Sequence, residues 1–237
     1  MTDLDLSELS DWISKASDNG AVVVVTHKNG DMDTIGSGLV LAQTIGPSAR
    51  ACGVHIGTLA KRMMKSADVI FHSLDSKRPI LPRNIGGIIV VDSASPGQIG
   101  FDLPDSTPLC IIDHHGAASE EWPKTALLIN RDTSSTAEII WELIKTTDNT
   151  ISPLSGRLLL AAIVADTGRF KHSRPGCYQR VEEIIAASGI DVVDVINEME
   201  SEDLNQSQRI AILHAVSKSK CQTVANIVVA TTRARTH

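Results

Sequence analysis

His27, Asp31 and Asp33 lie close together in the sequence, within the stretch of residues 26–37 that directly follows an apolar run at residues 21–25. The run is rich in valine, which predicts a buried parallel strand. Side chains that follow a strand in an open α/β sheet lie at its carboxyl edge, where such folds bind their ligands. Two carboxylates this close repel each other unless a cation lies between them, and imidazole with carboxylate suits a divalent metal such as Mn²⁺. The alternative is a polar loop whose aspartates only form turns.

Two further apolar runs end in ionisable residues. The run at residues 86–91 ends at Asp92, and the run at residues 108–112 ends at the triplet Asp-His-His of residues 113–115. Because the carboxyl ends of parallel strands lie on one edge of a sheet, we expect these side chains to converge with His27. Each residue alone has a plain explanation as a turn former, but together they indicate a cation site.

The second half of the chain is predicted to be mostly helical. An apolar helix over residues 154–164 leads to Asp166, whose charge opposes the helix dipole and therefore needs a cation or another compensation. Ser135 and Glu138 have the spacing of a capping box before another helix. Backbone N–H groups at residues 134–136 could bind a phosphate at that helix start, and capping is the interpretation we favour.

These elements predict an α/β fold with a mostly parallel sheet flanked by helices. An apolar run at residues 223–230 predicts one more strand, after a helix over residues 204–217. A single strand has no fold of its own, so this strand is expected to begin a second domain.

Composition limits the classes of function that this chain can have. Aromatic residues make up only 3% of the 237 residues, so there is little material for stacking nucleic-acid bases. The formal net charge of -6 argues against a generally cationic nucleic-acid binder. It does not exclude nucleotide binding, because bound metal ions supply positive charge locally.

Cysteine spacing and the lack of long apolar runs bear on the cellular compartment. The four cysteines are far apart in the sequence, which argues against a zinc knuckle and a disulfide framework. The acidic N-terminus has no signal-peptide pattern, and no apolar run approaches the roughly 18–20 residues that span a bilayer. We therefore expect a soluble, cytoplasmic protein without membrane contact.

Taken together, four motifs resemble those of the DHH phosphoesterase superfamily. They are HxxxDxD at residues 27–33, the strand-ending Asp92, Asp-His-His at residues 113–115, and Asp-Thr-Gly at residues 166–168. They occur in the order of the superfamily, and the resemblance covers residues 21–174. That superfamily includes RecJ exonucleases, nanoRNase and pAp phosphatases, cyclic-dinucleotide phosphodiesterases and family II inorganic pyrophosphatases.

At these positions the resemblance implies two divalent metal ions, Mn²⁺ or else Mg²⁺ or Co²⁺. The implied ligands are His27 and Asp31 for one ion, Asp33, His114 and Asp166 for the other, and Asp92 between both. Two cations about 3.5–4 Å apart compensate the carboxylates, activate a water molecule and hold the attacking and leaving oxygens.

The remaining site residues are also implied by position. The resemblance implies that His115 is a catalytic residue beside the phosphate or the leaving group. Asp92 is also implied as a catalytic residue, because it would bridge the two metal ions. Asp113 is implied as a residue that orients a ligand. Arg169, His172 and Arg174 follow Asp166 closely enough in the sequence to bind a substrate phosphate. The alternative is that they belong to a solvated polar loop.

The implied function is hydrolysis of phosphodiester or phosphomonoester bonds in nucleotides or short oligonucleotides, as in a nanoRNase, a pAp phosphatase or a cyclic-dinucleotide phosphodiesterase. The alternatives are an inorganic pyrophosphatase or polyphosphatase, a RecJ-like single-strand exonuclease, and a scaffold without catalysis. The expected partner is a phosphorylated small molecule or a short single-stranded nucleic acid, and a homodimer is one option.

The resemblance also implies a division into domains. Residues 1–188 correspond to the DHH catalytic domain, residues 189–219 to a helical linker, and residues 220–237 to the first strand of a C-terminal domain. In the superfamily that domain carries a glycine-rich GGGH motif, which these 237 residues lack. We therefore expect most of that domain to be missing.

Overall fold

A computed structural model describes residues 3–65, 69–116, 120–147, 150–201, 206–224 and 227–232. The chain divides into two compact units, Met1–Met199 and Glu200–His237. The domain boundaries expected after residues 188 and 219 stay predictions.

The first unit is built on a six-stranded parallel sheet with the order β3-β2-β1-β4-β5-β6. The strands are β1 Ala21–Thr26, β2 Ala49–Gly53, β3 His72–Ser73, β4 Ile85–Val91, β5 Leu109–Asp113 and β6 Leu127–Asn130. The predicted α/β fold is confirmed. The order reverses between β1 and β4, and the carboxyl ends of two such strands enclose the crevice in which open α/β sheets bind ligands.

Helices alternate with these strands and follow them. They are α1 Asp3–Asn19, α2 Met32–Ile45, α3 Thr58–Lys65, α4 Thr136–Thr146, α5 Pro153–Asp166, α6 Cys177–Ser188 and α7 Val192–Glu200. Strand side chains alternate between the faces of the sheet, so Val22 and Val24 join the core beneath the helices, whereas Val23 and Val25 pack with Trp122 on the opposite face. The core is mainly aliphatic, in agreement with the low aromatic content.

Helix α2 packs closely on α5, and a glycine permits this approach. A Cβ atom on Gly36 would lie 3.0 Å from the carbonyl oxygen of Leu158 and 3.3 Å from the Cβ of Ala162. A larger residue would therefore push the two helices apart. The close contact matters for the site because the first turn of α2 carries Asp33 and the last residue of α5 is Asp166.

The second unit contains α8 Gln206–Ser217 and two antiparallel strands, β7 Lys220–Val224 and β8 Ile227–Thr231. The prediction of one strand over residues 223–230 is wrong, because the chain reverses direction within that run. The two strands pair from Lys220 opposite Thr231 to Val224 opposite Ile227. The run is not continuously apolar, since Asn226, a residue type that favours turns, interrupts it.

Among the helices that the structure describes, none has both the length and the apolar character needed to cross a membrane.

Candidate metal centre

His27 lies at the carboxyl end of β1, on a turn that only glycine completes without strain. Gly30 has a φ of 57°, and a Cβ atom there would lie 2.2 Å from the carbonyl oxygen of His55. The turn directs His27 Nε2 to 3.0 Å from Asp31 Oδ2 and 3.4 Å from Asp92 Oδ2. Burial alone would lower the pKa of His27, but these two carboxylates outweigh it and raise the pKa to about 10. The site therefore attracts a positive charge.

Asp92, directly after β4, lies between the two histidines that face the crevice. Its Oδ2 faces His27, and its Oδ1 lies 3.4 Å from His114 Nε2. Its backbone has a φ of 59°, an unfavourable conformation for a residue with a side chain, and its amide is held by a hydrogen bond to Ile112 O. Burial would raise the pKa of Asp92, but the two histidines hold it below its ordinary value. Each carboxylate oxygen thus faces a different half of the site.

His114 offers a nitrogen that no neutral arrangement satisfies. Its Nδ1 lies 3.3 Å from the carbonyl oxygen of Thr133 and donates to it, so the lone pair of a neutral ring is on Nε2. Nε2 is buried without a hydrogen bond among the described residues. It points at three carboxylates, 3.2 Å from Asp166, 3.4 Å from Asp92 and 3.8 Å from Asp33. A lone pair facing carboxylates requires a proton or a metal ion between them.

Asp33 is only 1% exposed and connects the site to α4. Its Oδ2 accepts a hydrogen bond from Thr136 N at 2.7 Å, and its Oδ1 accepts one from Ala137 N at 3.0 Å and one from Ser37 Oγ at 3.2 Å. Burial raises the pKa of Asp33, and the charges of Asp92 and Asp166 raise it further. Asp33 therefore caps α4 from a different helix, while it lies beside His114.

The predicted capping box at Ser135 and Glu138 is wrong. The Ser135 side chain makes no cap hydrogen bond. Glu138 Oε1 instead accepts from Ser134 N at 2.8 Å and from Ser135 Oγ at 3.4 Å. The carboxylate of Asp33 occupies the N–H groups at the helix start, because an ionised acceptor makes a stronger hydrogen bond than a hydroxyl. The N–H groups at the start of α4 are therefore capped by side-chain carboxylates, as the sequence interpretation favoured over phosphate binding.

Asp166 ends α5 and closes the site on the side of His114. Burial raises the pKa of Asp166 to about 6, and the carboxylates of Asp92 and Asp31 also contribute to this rise. His114 provides part of the compensation that an aspartate at a helix C-terminus requires, at 3.2 Å.

Three groups of side chains among the described residues could each hold a metal ion, with donor atoms within 4.8 Å of one another. They are His27, Asp31 and Asp92; Asp33, His114 and Asp166; and Asp92, His114 and His115. The first two groups contain the six residues that the sequence motifs single out as ligands. The third group contains His115, which the motifs place outside the ligand set.

Comparison of the sequence with protein-family models identifies the family of this chain. The model of the DHH family, N-terminal domain, matches residues 21–165 of the chain. The chain belongs to the DHH family. The resemblance drawn from the four motifs is thereby confirmed, and the matched residues contain every strand of the parallel sheet.

The DHH chain has distant relatives among known proteins. A probable manganese-dependent inorganic pyrophosphatase of Enterococcus faecalis is 25% identical over 74% of the chain and 56% of its own length. An uncharacterized protein of Methanocaldococcus jannaschii is 25% identical over 91% of the chain and 65% of its own length. An exopolyphosphatase-related protein from Bacteroides fragilis has the same fold, with a TM-score of 0.73 at 20% identity over 92% of this chain and 66% of that one. The DHH chain therefore spans less than two thirds of these relatives.

The donor chemistry of the DHH chain fits divalent cations. Imidazole nitrogens and carboxylate oxygens together suit Mn²⁺ and its neighbours, and the unpartnered Nε2 of His114 has the orientation of a ligand. Four carboxylates crowd the crevice beside only two inward-facing histidines, so positive charge is missing there.

His115 and Asp113 form a pair at the rim of the DHH site. His115 Nδ1 donates to Asp113 Oδ1 at 2.8 Å, and this hydrogen bond raises the pKa of His115. His115 is half exposed, whereas Asp113 is buried. Asn130 Nδ2 donates to the carbonyl oxygens of His115 and Gly116, which holds the loop in place. Asp113 thus orients the His115 ring, and Asn130 is a site residue that lies outside the four sequence motifs.

The loop after Asp166 carries the residues expected to bind substrate. Gly168, Arg169 and Phe170 all have positive φ, at 55°, 58° and 66°, and Thr167 Oγ1 accepts the Phe170 N–H at 2.9 Å. This left-handed turn sends the chain back toward the start of α4, where Arg174 N donates to Ser134 Oγ at 2.8 Å.

The three side chains of this loop are in different situations. The guanidinium of Arg174 forms an ion pair with Asp132, and the His172 ring packs beside Gly168. Arg169 is exposed. Their roles in substrate binding stay predictions, and the contact that ties this loop to the segment around the metal ligands is the backbone N–H of Arg174 on Ser134 Oγ.

Proposed function

We propose that this chain is the catalytic core of a hydrolase that cleaves phosphoester or phosphoanhydride bonds with two Mn²⁺ ions. The observation that carries the proposal is the buried Nε2 of His114, which makes no hydrogen bond within the described part of the chain and points at three carboxylates, while Asp92 lies between His114 and His27. Manganese is supported by the donor types and by the name of the pyrophosphatase relative from Enterococcus faecalis.

The proposed ligands are the six residues of the two groups. His27, Asp31 and Asp92 would hold one ion, and Asp33, His114, Asp166 and Asp92 the other. When bound, such a pair lowers the pKa of a water ligand and neutralises charge on the phosphoryl oxygens. The protein contributes the orientation: Thr133 O sets the His114 tautomer, and the N–H groups of α4 hold Asp33.

His115 is proposed to serve the leaving group rather than a metal ion. Its ring is held through Nδ1 by Asp113, so the other nitrogen is presented with a defined orientation. A histidine with its pKa raised by a carboxylate is suited to donate a proton or a hydrogen bond to the departing oxygen.

His115→Ala is expected to retain both Mn²⁺ ions and to lose turnover by about 10²–10⁴-fold, the usual contribution of a positioned acid. Metal content measured after equilibration with Mn²⁺ and kcat measured at saturating substrate test this. Asp113→Asn is the matched variant, since it keeps the shape of the partner and should lower kcat less. Loss of one metal equivalent in His115→Ala would instead make His115 a ligand, as its membership of the third group allows.

The proposed substrates are nucleotides or short oligonucleotides, such as dinucleotides, pAp or cyclic dinucleotides. The net charge of -6 supports a small substrate of this kind over a long polyanion, which needs an extended cationic surface. Inorganic pyrophosphate is the second candidate, and the name of the Enterococcus faecalis relative is the observation that favours it.

A substrate panel with Mn²⁺ tests the proposal. The panel contains pAp, dinucleotides, cyclic dinucleotides, pyrophosphate, polyphosphate and single-stranded DNA, and it is applied to these 237 residues and to the longest natural form of the protein. Turnover of the nucleotides is the expected result. Turnover of pyrophosphate alone would reverse the ranking, and absence of bound metal after equilibration with Mn²⁺ would overturn the catalytic proposal.

A further inference from the structure

A buried group of charges lies between α4 and α6. Arg180 of α6 donates from Nε to Glu142 Oε1 at 2.6 Å and from Nη1 to Glu138 Oε2 at 3.0 Å. Glu142 also pairs with Arg131. Glu138 is fully buried, and Arg180 is 8% exposed. Burying four charges is costly, and a buried ion pair is often no more stabilising than an apolar contact. Stability alone is therefore a weak explanation for this group.

Glu138 connects the buried charges to the chain segment before α4. Its Oε2 is held by Arg180, and its Oε1 accepts hydrogen bonds from Ser134 N at 2.8 Å and Ser135 Oγ at 3.4 Å. Arg180 therefore holds the carboxylate of Glu138 in place, and this carboxylate in turn holds the backbone N–H of Ser134.

That segment, residues 133–137, contacts three of the proposed metal ligands. Thr133 O accepts from His114 Nδ1, the N–H groups of residues 136 and 137 hold Asp33, and Thr136 Oγ1 donates to Asp92 Oδ1 at 3.1 Å. Residues 133–137 thus orient the side chains of His114, Asp33 and Asp92 on the side of the site that faces α4.

We propose that Arg180 is a positioning residue for the metal centre. It acts through Glu138 on residues 133–137 and through them on Asp33, Asp92 and His114. Ser134 Oγ also accepts the backbone N–H of Arg174, so the loop that follows Asp166 is tied to the same segment. The inference rests on the proposed function, because it assigns Arg180 a role toward ions held by those ligands.

The test compares Arg180→Lys with Glu183→Gln. Lysine keeps the charge but cannot hold both glutamates through a planar fork. Glu183 pairs with Lys145 at 2.6 Å and so joins the same two helices at the surface, without a hydrogen bond to residues 133–137. Mn²⁺ affinity is measured by electron paramagnetic resonance of the free ion at 20 °C, next to the melting temperature of each metal-free variant.

Arg180→Lys is expected to weaken Mn²⁺ binding by about tenfold, the lower end of the effect of losing a direct partner of a metal ligand, because Arg180 acts through Glu138. Glu183→Gln is expected to leave the affinity unchanged. Should Arg180→Lys fail to fold, Glu138→Gln is the milder variant, because glutamine keeps the length of the side chain and one oxygen for Ser134 N–H. It is expected to weaken Mn²⁺ binding in the same direction.

Mn²⁺ binding by the wild type and by the three variants distinguishes a failure of the role of Arg180 from a failure of the proposed function. A wild-type protein that binds two Mn²⁺ ions, with equal affinity in Arg180→Lys, Glu138→Gln and Glu183→Gln, would overturn the inference about Arg180 alone. A wild-type protein that binds no Mn²⁺ would overturn the proposed function and the inference with it.

Discussion

Asp92→Ala is expected to abolish tight binding of both Mn²⁺ ions and to reduce kcat by at least about 10³-fold. The reason is the position of the carboxylate, whose two oxygens lie 3.4 Å from His27 Nε2 and 3.4 Å from His114 Nε2, one toward each ligand group. Loss of one oriented electrostatic group in an active site costs about 10²–10³-fold, and this substitution weakens two metal sites at once. Mn²⁺ stoichiometry by elemental analysis and kcat on the best substrate of the panel measure the effect.

Asp31→Ala is the matched variant for this prediction. Asp31 faces His27 alone among the site histidines, and its side chain is more than half exposed. We expect it to weaken one metal site, to leave the second ion bound, and to lower kcat less than Asp92→Ala. Asp92→Asn keeps the shape of the side chain and controls for damage to the fold. Equal Mn²⁺ stoichiometry in Asp92→Ala and wild type would contradict the bridging role.

Much of the fold and the clustering of the site could be predicted from the sequence, because both follow from local pattern. Short apolar runs rich in valine and isoleucine predict buried strands, and in a parallel sheet the residues after those runs meet at one edge. His27, Asp92 and His114 are all found in this way, since each ends or follows a strand. Asp166 is found because an aspartate at a helix C-terminus needs compensation.

The partners that orient these ligands could not be predicted, because they depend on packing between distant segments. Asp33 caps α4 across 103 residues of sequence, so the local Ser135 pattern indicates the wrong cap. Arg180 and Glu138 lie 42 residues apart and meet only when α6 packs on α4. Residue type predicts the chemistry that a side chain offers, whereas its hydrogen-bond partner is decided by the assembled fold.

Mn²⁺ binding is expected to release at least one proton at pH 7.5, and its affinity is expected to rise with pH. Burial alone would lower the pKa of His114, but the carboxylates of Asp92, Asp33 and Asp166 outweigh it and raise the pKa to about 9. His114 is therefore protonated in the metal-free protein at pH 7.5, and the proton lies on Nε2, since Nδ1 already donates to Thr133 O. A metal ion needs that lone pair and must displace the proton.

The direction of the pH dependence follows from linkage. Below the folded pKa of about 9, and therefore throughout the range from an ordinary histidine pKa of about 6.5 to about 9, each pH unit should tighten Mn²⁺ binding by about tenfold for each proton displaced. Over the same range the metal-free protein should lose stability, because protonated His114 stabilises the fold below pH 6.5 and this contribution disappears as the pH rises through about 9. Below pH 6 the dependence should steepen, because Asp166, with its pKa raised to about 6, then also binds a proton.

Calorimetry of Mn²⁺ binding in two buffers of different ionisation enthalpy counts the released protons directly. His114→Asn is the informative variant, since it removes the titrating nitrogen and should lower the number of protons released by about one at pH 7.5. Binding without proton release in the wild type would mean that His114 is neutral in the metal-free protein. The three carboxylates around Nε2 would then lack any cation, so this outcome would also contradict the charge arrangement from which the two-metal site is inferred.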